Sequence, residues 1–310
     1  MLRWFSLAEI PADFPETAVT IGKFDGVHLG HQCLLNETVE LSEEHGLAAV
    51  AVTFDRHPNS VLDPKALRQN LIGVHQKLEQ FEFAGIDASL VLHFDENLSN
   101  QGPEQFIEAT LVNGLNAKVV VVGEDFRFGA GGAGDVETLK QAGAEFGFKV
   151  RVAPSIEVDG LKVSSTAIRE LLDVGDVKQA AKLLGRRHTT RGMVEHGLKL
   201  GRQLGFPTAN LSRQSEGYLP LDGVYAGWLY CNDIKYPAAL SVGINETLQE
   251  VPRLVEAHVL DRDDLDLYDQ VVTIEYVDFL RPAAKFSGMD ELISAIDADC
   301  QAIKGILARS

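Results

Sequence analysis

Two histidines three residues apart, His28 and His31, close a glycine-studded stretch that runs from Thr20. Ala18 to Ile21 before it reads as a buried strand, and a helical pattern (Leu34, Leu35, Thr38, Val39) begins near His31. A strand, a turn and a helix start in that order aim the helix's free N–H groups and the positive end of its dipole at whatever lies over the turn. That makes an anion site. On a first helical turn the two imidazoles share a face, and Gly30 between them has no Cβ, so a ligand can approach the backbone. Two ring donors beside a helix N-terminus suit the phosphates of a nucleotide. Read alone, the pair is equally two surface histidines. As metal ligands they lack a third partner at a recognisable spacing.

Further groups could do related chemistry. Ser164, Ser165 and Thr166 precede a helical run (Ile168, Leu171, Leu172) and are first of all an N-cap. With Arg169 one turn in, the same hydroxyls can form a phosphate clamp. From Val255 to Asp261 the chain alternates as a strand: Val255, Ala257 and Val259 point one way, Glu256 and His258 the other. A carboxylate on the open side of a barrel is placed to accept a hydroxyl proton, although an exposed barrel glutamate reads the same way. The run Gly129 to Gly134 spells Gly-x-Gly-x-x-Gly, but it follows a fourth strand rather than a first, and Gly123 to Phe128 separates it from that strand's end. It is therefore read as a flexible loop near the site, not as a dinucleotide fingerprint.

The elements that must position these groups fall into two textures. Apolar runs over Leu47–Phe54, Ser89–Leu92, Ala117–Val122 and Phe148–Val152 follow the first strand, with helical stretches at 32–45, 74–84, 103–114 and 135–146 between them. That alternation predicts an α/β, doubly wound parallel sheet with ligands beyond the carboxyl ends of its strands. A short helix over Val177–Leu184 leads to Gly185-Arg186-Arg187. Beyond it, short apolar stretches with turn signals predict a small antiparallel β-barrel. Leu292, Ile296, Cys300, Ile303 and Leu307 predict a C-terminal helix packed on that barrel. The division is placed at 1–184 and 185–310.

With 310 residues there is length for two cores. A net charge of −17 argues against a nucleic-acid partner, so a site for an anion must be made positive locally or arrive with a divalent cation. Cys33, Cys231 and Cys300 are odd in number and widely spaced, which predicts reduced thiols in a cytoplasmic protein. No apolar run reaches membrane-spanning length, and Met1 to Leu7 lacks the apolar core of a signal peptide.

The string Gly22-Lys23-Phe24-Asp25-Gly26-Val27-His28-Leu29-Gly30-His31 resembles the nucleotidyltransferase signature Gly-x-Phe-Asp-Gly-x-His-x-Gly-His, in the form carried by bacterial bifunctional riboflavin kinase/FAD synthetases. The resemblance runs through both halves, in the family's order. Thr53-Phe54-Asp55-Arg56-His57-Pro58 is similar to a Thr-Phe-Asp-Pro-His-Pro loop beside the flavin site, with Arg56 for the first proline. Val121 to Gly129 is similar to the family's Val-x-Gly-x-Asp-Phe-x-Phe-Gly segment, which implies a nucleotide pocket lined by Gly123, Asp125 and Phe126. Val163 to Arg169 looks like the Ile-Ser-Ser-Thr-x-Ile-Arg motif, which implies that Arg169 holds ATP phosphates.

Gly205-Phe206-Pro207-Thr208-Ala209-Asn210 resembles the Gly-Phe-Pro-Thr-Ala-Asn motif of riboflavin kinases, whose Thr and Asn coordinate magnesium and bind ATP phosphates. Thr208 and Asn210 supply hard, neutral oxygens suited to that ion; without the resemblance the segment is a turn, and nearby Lys199 and Arg202 are a solvated basic turn. The strand carrying Glu256 is similar to one whose glutamate is the kinase's catalytic base. The chain departs from the family pattern at Asn245-Glu246-Thr247-Leu248, at Leu265-Asp266-Leu267-Tyr268-Asp269, where both glycines of a turn are lost, and at Ala283. The resemblance implies ATP-dependent conversion of riboflavin to FMN, then of FMN to FAD, with Mg²⁺ and no membrane or nucleic-acid partner. Two rivals are an FAD synthetase with an impaired barrel and a non-catalytic flavin-binding regulator.

Overall fold

A computed structural model of the chain describes residues 1–56, 69–196, 205–243 and 253–310. They form two compact units, Met1–Val163 and Ser164–Ser310.

The first unit is built on six parallel strands: β1 (Leu2–Trp4), β2 (Thr17–Ile21), β3 (Ala48–Phe54), β4 (Ala88–Leu92), β5 (Ala117–Gly123) and β6 (Lys149–Ala153), in spatial order β1-β4-β3-β2-β5-β6. The central strands are apolar along their whole length because both sheet faces are covered. On one face Val19, Ile21, Val50, Val52, Val120 and Val122 join Phe106, Ile107 and Leu111; on the other Ala18, Ala49, Ala51, Val119 and Val121 join Leu35, Leu78 and Phe81. The two buried threonines of β2 keep their hydroxyls satisfied by donating to Leu115 O (2.7 Å) and Val121 O (3.0 Å).

From β2 the chain winds through β3 to β4 on one side, then crosses to β5 on the other side of β2. The order therefore reverses between β2 and β5, which is where an open parallel sheet offers a crevice at its carboxyl ends. Helix α1 (Leu29–His45) follows β2 and α2 (Val74–Phe83) precedes β4. The stretch expected as one helix at 103–114 is a single α turn, Pro103–Phe106, continued as a π-helix over Ile107–Gly114, with Leu115 N–H donating to Thr110 O at 3.0 Å. Helix α3 (Val136–Phe146) ends on Gly147 in the left-handed conformation. The edge strand β1 lies outside the sequence reading, since three residues show no period.

A two-stranded antiparallel hairpin, β7 (Glu157–Val158) and β8 (Leu161–Lys162), ends the first unit. In the second unit, α4 (Ser165–Asp173) and α5 (Val177–Leu184) precede a closed antiparallel barrel of β9 (Thr189–Glu195), β10 (Thr208–Leu211), β11 (Gly223–Cys231), β12 (Ile234–Gly243), β13 (Leu254–Val259) and β14 (Val271–Pro282), in the order β10-β13-β12-β11-β14-β9. Tyr225 and Tyr276 fill its interior, fully buried, 5.4 Å apart and edge to face. Helix α6 (Met289–Leu307) buries Cys300, Ile303 and Leu307 against Ala226, Val277 and Leu260, as its spacing predicts. All three cysteines are unbridged.

Candidate active sites

At the carboxyl end of β2 the chain turns through an unusual backbone. Phe24 (φ +48°), Gly26 (φ +87°) and Val27 (φ +39°) all have positive φ, which is rare for a residue with a side chain and rarer for a β-branched one. The helix then starts at Leu29 rather than near His31, and His28 is its N-cap: its Nδ1 accepts the His31 N–H at 3.3 Å. That acceptor role requires an unprotonated Nδ1, so the proton of the neutral ring sits on Nε2. The two imidazoles stack, with centroids 3.7 Å apart and 15° between planes, and His31 meets the Phe24 ring edge-on at 5.2 Å. A Cβ on Gly30 would stand 3.3 Å from the His28 ring. The room beside Gly30 is thus taken by the imidazole that the helix start folds over itself. A Cβ on Gly22 would likewise press the Phe24 ring at 3.2 Å.

Asp25 is buried, and its Oδ1 accepts the Leu71 N–H at 2.7 Å. Phe54, at the end of β3, is half-buried and packs edge-on against Phe94 at 5.4 Å. Asp55 accepts the Phe94 N–H at 3.0 Å and lies 2.6 Å from His93 Nδ1. Burial pushes its carboxyl up, but the Phe94 N–H, His93 and Arg56 together hold it below the usual carboxylate range. His57 and Pro58, expected beside the flavin, fall outside the described residues, as do Lys199, Arg202 and the loop Asn245–Leu248.

Across the crevice, β5 ends at Gly123, with Asp125 exposed and 3.4 Å from Lys162 Nζ. Phe126 stacks on Phe128 (5.4 Å, 15°). The glycine run after it is not a loose loop. Phe128 and Gly134 exchange backbone hydrogen bonds of 3.1 and 3.0 Å, and a Cβ on Gly134 would collide with the Phe128 ring at 2.8 Å. The run wraps an aromatic ring and has no dinucleotide geometry. The first unit therefore gathers Gly22, Phe24, Asp25, Gly26, His28, Gly30, His31, Phe54, Gly123, Asp125 and Phe126 on three adjacent strand ends.

Ser164, Ser165, Thr166 and Arg169 belong to the second unit. Ser164 caps α4 by accepting the Ala167 N–H at 3.1 Å, with Ser165 and Thr166 in the first turn. Arg169 is buried, donates from Nη1 to Ser165 O at 3.3 Å and lies 5.9 Å from the centre of the Tyr218 ring, whose hydroxyl donates to Asp173 at 2.6 Å.

On the barrel, β10 and β13 run antiparallel with Asn210 opposite Glu256 and Thr208 opposite His258. Directly opposed side chains on one face stand within about 5.5 Å at Cβ, so the ladder register alone brings the four groups together. The intervening Ala209 and Ala257 turn inward and are buried. Gly205 (φ +86°) makes the turn into Pro207, whose carbonyl accepts from His258 Nδ1 at 2.9 Å. Asn210 Nδ2 donates to Thr208 Oγ1 at 3.5 Å, which keeps the carboxamide oxygen as an acceptor. Thr208 and Asn210 line a small cleft open to solvent, together with Pro207, Arg262, Leu267 and Tyr268; Glu256 is not among its lining residues. Among the described residues no three His, Cys, Asp or Glu are grouped to hold a metal ion. The neutral hydroxyl and carboxamide of Thr208 and Asn210 fit a hard cation that arrives with phosphate.

Lys77 escaped the sequence reading. Its amine, buried on α2, donates to Thr53 Oγ1 (3.1 Å) and Phe54 O (3.3 Å), and burial pushes its pKa down to about 8 against the pull of Asp25 and Asp55. A signal was present: Val74, Lys77, Leu78 and Phe81 trace the helix's buried stripe, and a lysine on such a stripe must find partners. His258, read only for the face it shares, turns out to anchor the Gly205–Pro207 turn.

No helix among the described residues is long and apolar enough to cross a membrane. A family profile described as FAD synthetase matches residues 10–167, and one described as riboflavin kinase matches residues 184–307. The chain is 36% identical to the bifunctional riboflavin kinase/FMN adenylyltransferase of Pseudomonas fluorescens over 94% of this chain and 93% of that protein. It is 35% identical to the enzyme of the same name from Haemophilus influenzae (93% of each) and 33% identical to that of Escherichia coli K12 (91% and 90%). Among solved structures, one called a macrolide-efflux protein from Streptococcus pneumoniae superposes with a TM-score of 0.85 at 31% identity, covering 98% of both chains. Both halves match, in order and nearly end to end, and the chain belongs to the bifunctional riboflavin kinase/FMN adenylyltransferase family.

Proposed function

We propose a division of labour between the two units for the family's two successive transfers. The chain is a transferase that converts riboflavin to FMN and FMN to FAD, with ATP as co-substrate in both steps. On the barrel, Glu256 accepts the proton of riboflavin's ribityl 5′-hydroxyl as that oxygen attacks the γ-phosphorus of ATP, giving FMN and ADP. Thr208 and Asn210 bind the nucleotide's phosphates and would hold Mg²⁺, which when bound neutralises phosphate charge. Gly205 and Pro207 shape the turn that presents them.

In the α/β unit, a phosphate oxygen of FMN attacks the α-phosphorus of a second ATP, and pyrophosphate leaves. His28 and His31 stabilise the charge that develops on the transferred group, His28 as an Nε2–H donor fixed by its capping bond. Gly22, Phe24, Asp25, Gly26 and Gly30 form the turn, Gly123, Asp125 and Phe126 the opposite lip, and Phe54 the flavin side; flavin binding is assigned to His57 and Pro58 from the resemblance of their motif alone. From their motif, Arg169, Ser164, Ser165 and Thr166 of the second compact unit are assigned to the binding of ATP phosphates. Because that motif serves adenylyl transfer while its helix packs within the second compact unit, the functional division is kept at 1–184 and 185–310. The unbridged cysteines accord with a cytoplasmic enzyme.

The observation that carries this reading is the register that sets Asn210 against Glu256 on one face of the barrel, in a chain whose other half caps a helix with His28. Incubation with riboflavin, ATP and Mg²⁺, followed by chromatography of the flavins, tests it. FMN followed by FAD is expected. FAD formed only from added FMN would mean a barrel without kinase activity, and no turnover of either flavin would leave a binding protein.

A further inference from the structure

Lys77 has no part in the roles assigned above, yet its amine reaches the end of β3, beside the signature turn, at Thr53 and Phe54. A buried ammonium is costly wherever it is not hydrogen-bonded and balanced. A methionine of similar length would fill the same space on α2, so packing alone does not call for an amine there. What the amine adds is directed donors. Lys77 Nζ donates to Thr53 Oγ1 at 3.1 Å, and the Thr53 hydroxyl donates onward to Lys23 O at 3.3 Å. Lys23 is the residue before Phe24, where the backbone first enters its positive-φ course.

Such backbone strain persists only where the surroundings over-determine it. Here the surroundings can be named. Phe24 is wedged edge-on against Phe81 of α2 at 5.0 Å, Asp25 is held by the Leu71 N–H, and the Lys23 carbonyl is held by Thr53. The first and last of these restraints lead back to α2, through Phe81 by packing and through Lys77 by hydrogen bonds. Beyond the strained turn comes His28, whose ring orientation depends on where the turn delivers it.

We propose that Lys77, acting through Thr53, is a positioning residue for adenylyl transfer: the Lys77–Thr53–Lys23 relay holds the strained turn in the one course that aims His28. The inference rests on the assignment of His28 to that reaction. The test compares Lys77→Met, Thr53→Val, Thr53→Ser and His28→Ala in the full-length chain, with FAD formation from FMN and FMN formation from riboflavin both measured. Thr53→Val keeps shape and deletes the hydroxyl, while Thr53→Ser restores it. A misplacement of this kind lowers kcat for FAD formation by roughly 10- to 100-fold in Lys77→Met and Thr53→Val. The KM for ATP stays nearly constant, Thr53→Ser recovers most of the loss, and riboflavin phosphorylation by the same molecules is unchanged.

A Lys77 that merely stabilised the fold would lower the melting temperature and leave kcat intact at a temperature where the variant is folded; that result overturns the proposal. So does a Thr53→Val enzyme with full activity, which decides the matter even where Lys77→Met does not fold. Undiminished FAD synthesis by His28→Ala would instead remove the assignment on which the inference stands.

Discussion

The two halves of this chain place their candidate functional groups by opposite means. In the α/β unit, His28 and His31 are delivered by a turn whose backbone is unfavourable at Phe24 and Val27, and a helix cap then locks one imidazole over the other. On the barrel, Thr208, Asn210, Glu256 and His258 are delivered by a regular ladder, with only Gly205 in a special conformation among the described residues that lead into it. The difference follows from geometry. A parallel sheet has no functional surface except the ends of its strands, so its groups must be carried on turns. A barrel face offers side chains every second residue along each strand, and register suffices. A site on a turn therefore needs supports outside itself, whereas a site on a ladder is supported by the hydrogen bonds that define it.

Removing the proposed base should give the largest effect, and only in one half. Glu256→Gln is expected to slow riboflavin phosphorylation by roughly 10²- to 10⁴-fold, the usual worth of a positioned base. FAD formation from supplied FMN should be untouched. His28→Ala should do the reverse, lowering FAD formation by roughly 10²- to 10³-fold, as for loss of one donor to developing charge, while FMN accumulates. Time courses of both flavins for each variant check these together. If either substitution removed both activities from a folded protein, the halves would not be separate sites and the contrast between them would lose its meaning.

How much of this was legible beforehand follows the same divide. The parallel strands were readable because valine runs such as Val119–Val122 are buried on both faces, and the barrel because its apolar stretches are bounded by turn signals with little helical period. The opposition of Glu256 to Asn210 needed the register, which no local pattern fixes when the two lie 46 positions apart. The His28 cap was missed because an imidazole is an uncommon cap, and the room beside Gly30 was credited to a ligand rather than to the ring itself. The π-helix was legible as a helix only, since it differs from an α-helix in which carbonyl each N–H reaches. Lys77 was visible as an anomaly on a buried stripe, but its partner Thr53 lies in a different element.

A third prediction probes the supports of the turn through pH. An unfolded lysine keeps its proton to about 10.5, whereas buried Lys77 gives it up near 8. Between those values unfolding takes up a proton, so stability rises with pH across that window and is lowest below it, where the folded protein holds a desolvated ammonium. The full rise amounts to about 3 kcal/mol. Urea midpoints measured from pH 7.5 to 10 should climb for the wild-type chain relative to Lys77→Met. Parallel curves would show that the amine is better solvated than its burial implies, and that the turn stands on its own.

The smallest effect is expected on the barrel, where the turn Leu265–Asp269 has lost the two glycines of the family pattern. Asp269 adopts φ +58° and donates its N–H to Val194 O at 3.0 Å, so the left-handed residue of the turn survives with a side chain that tolerates it; Leu265 has no positive φ. Asp269→Gly relieves a strained backbone but loosens the unfolded chain, and these oppose each other, so stability should change by less than about 1 kcal/mol. Asp269→Val keeps the strain without the local hydrogen bonding of an aspartate and should destabilise by about 1–2 kcal/mol. Leu267 and Tyr268, just before it, line the cleft with Thr208 and Asn210. Riboflavin phosphorylation by Asp269→Gly should nevertheless match the wild type, because the ladder and not this turn sets the functional groups. A marked gain in kinase rate on restoring the glycine would show that the barrel site, too, depends on a strained turn.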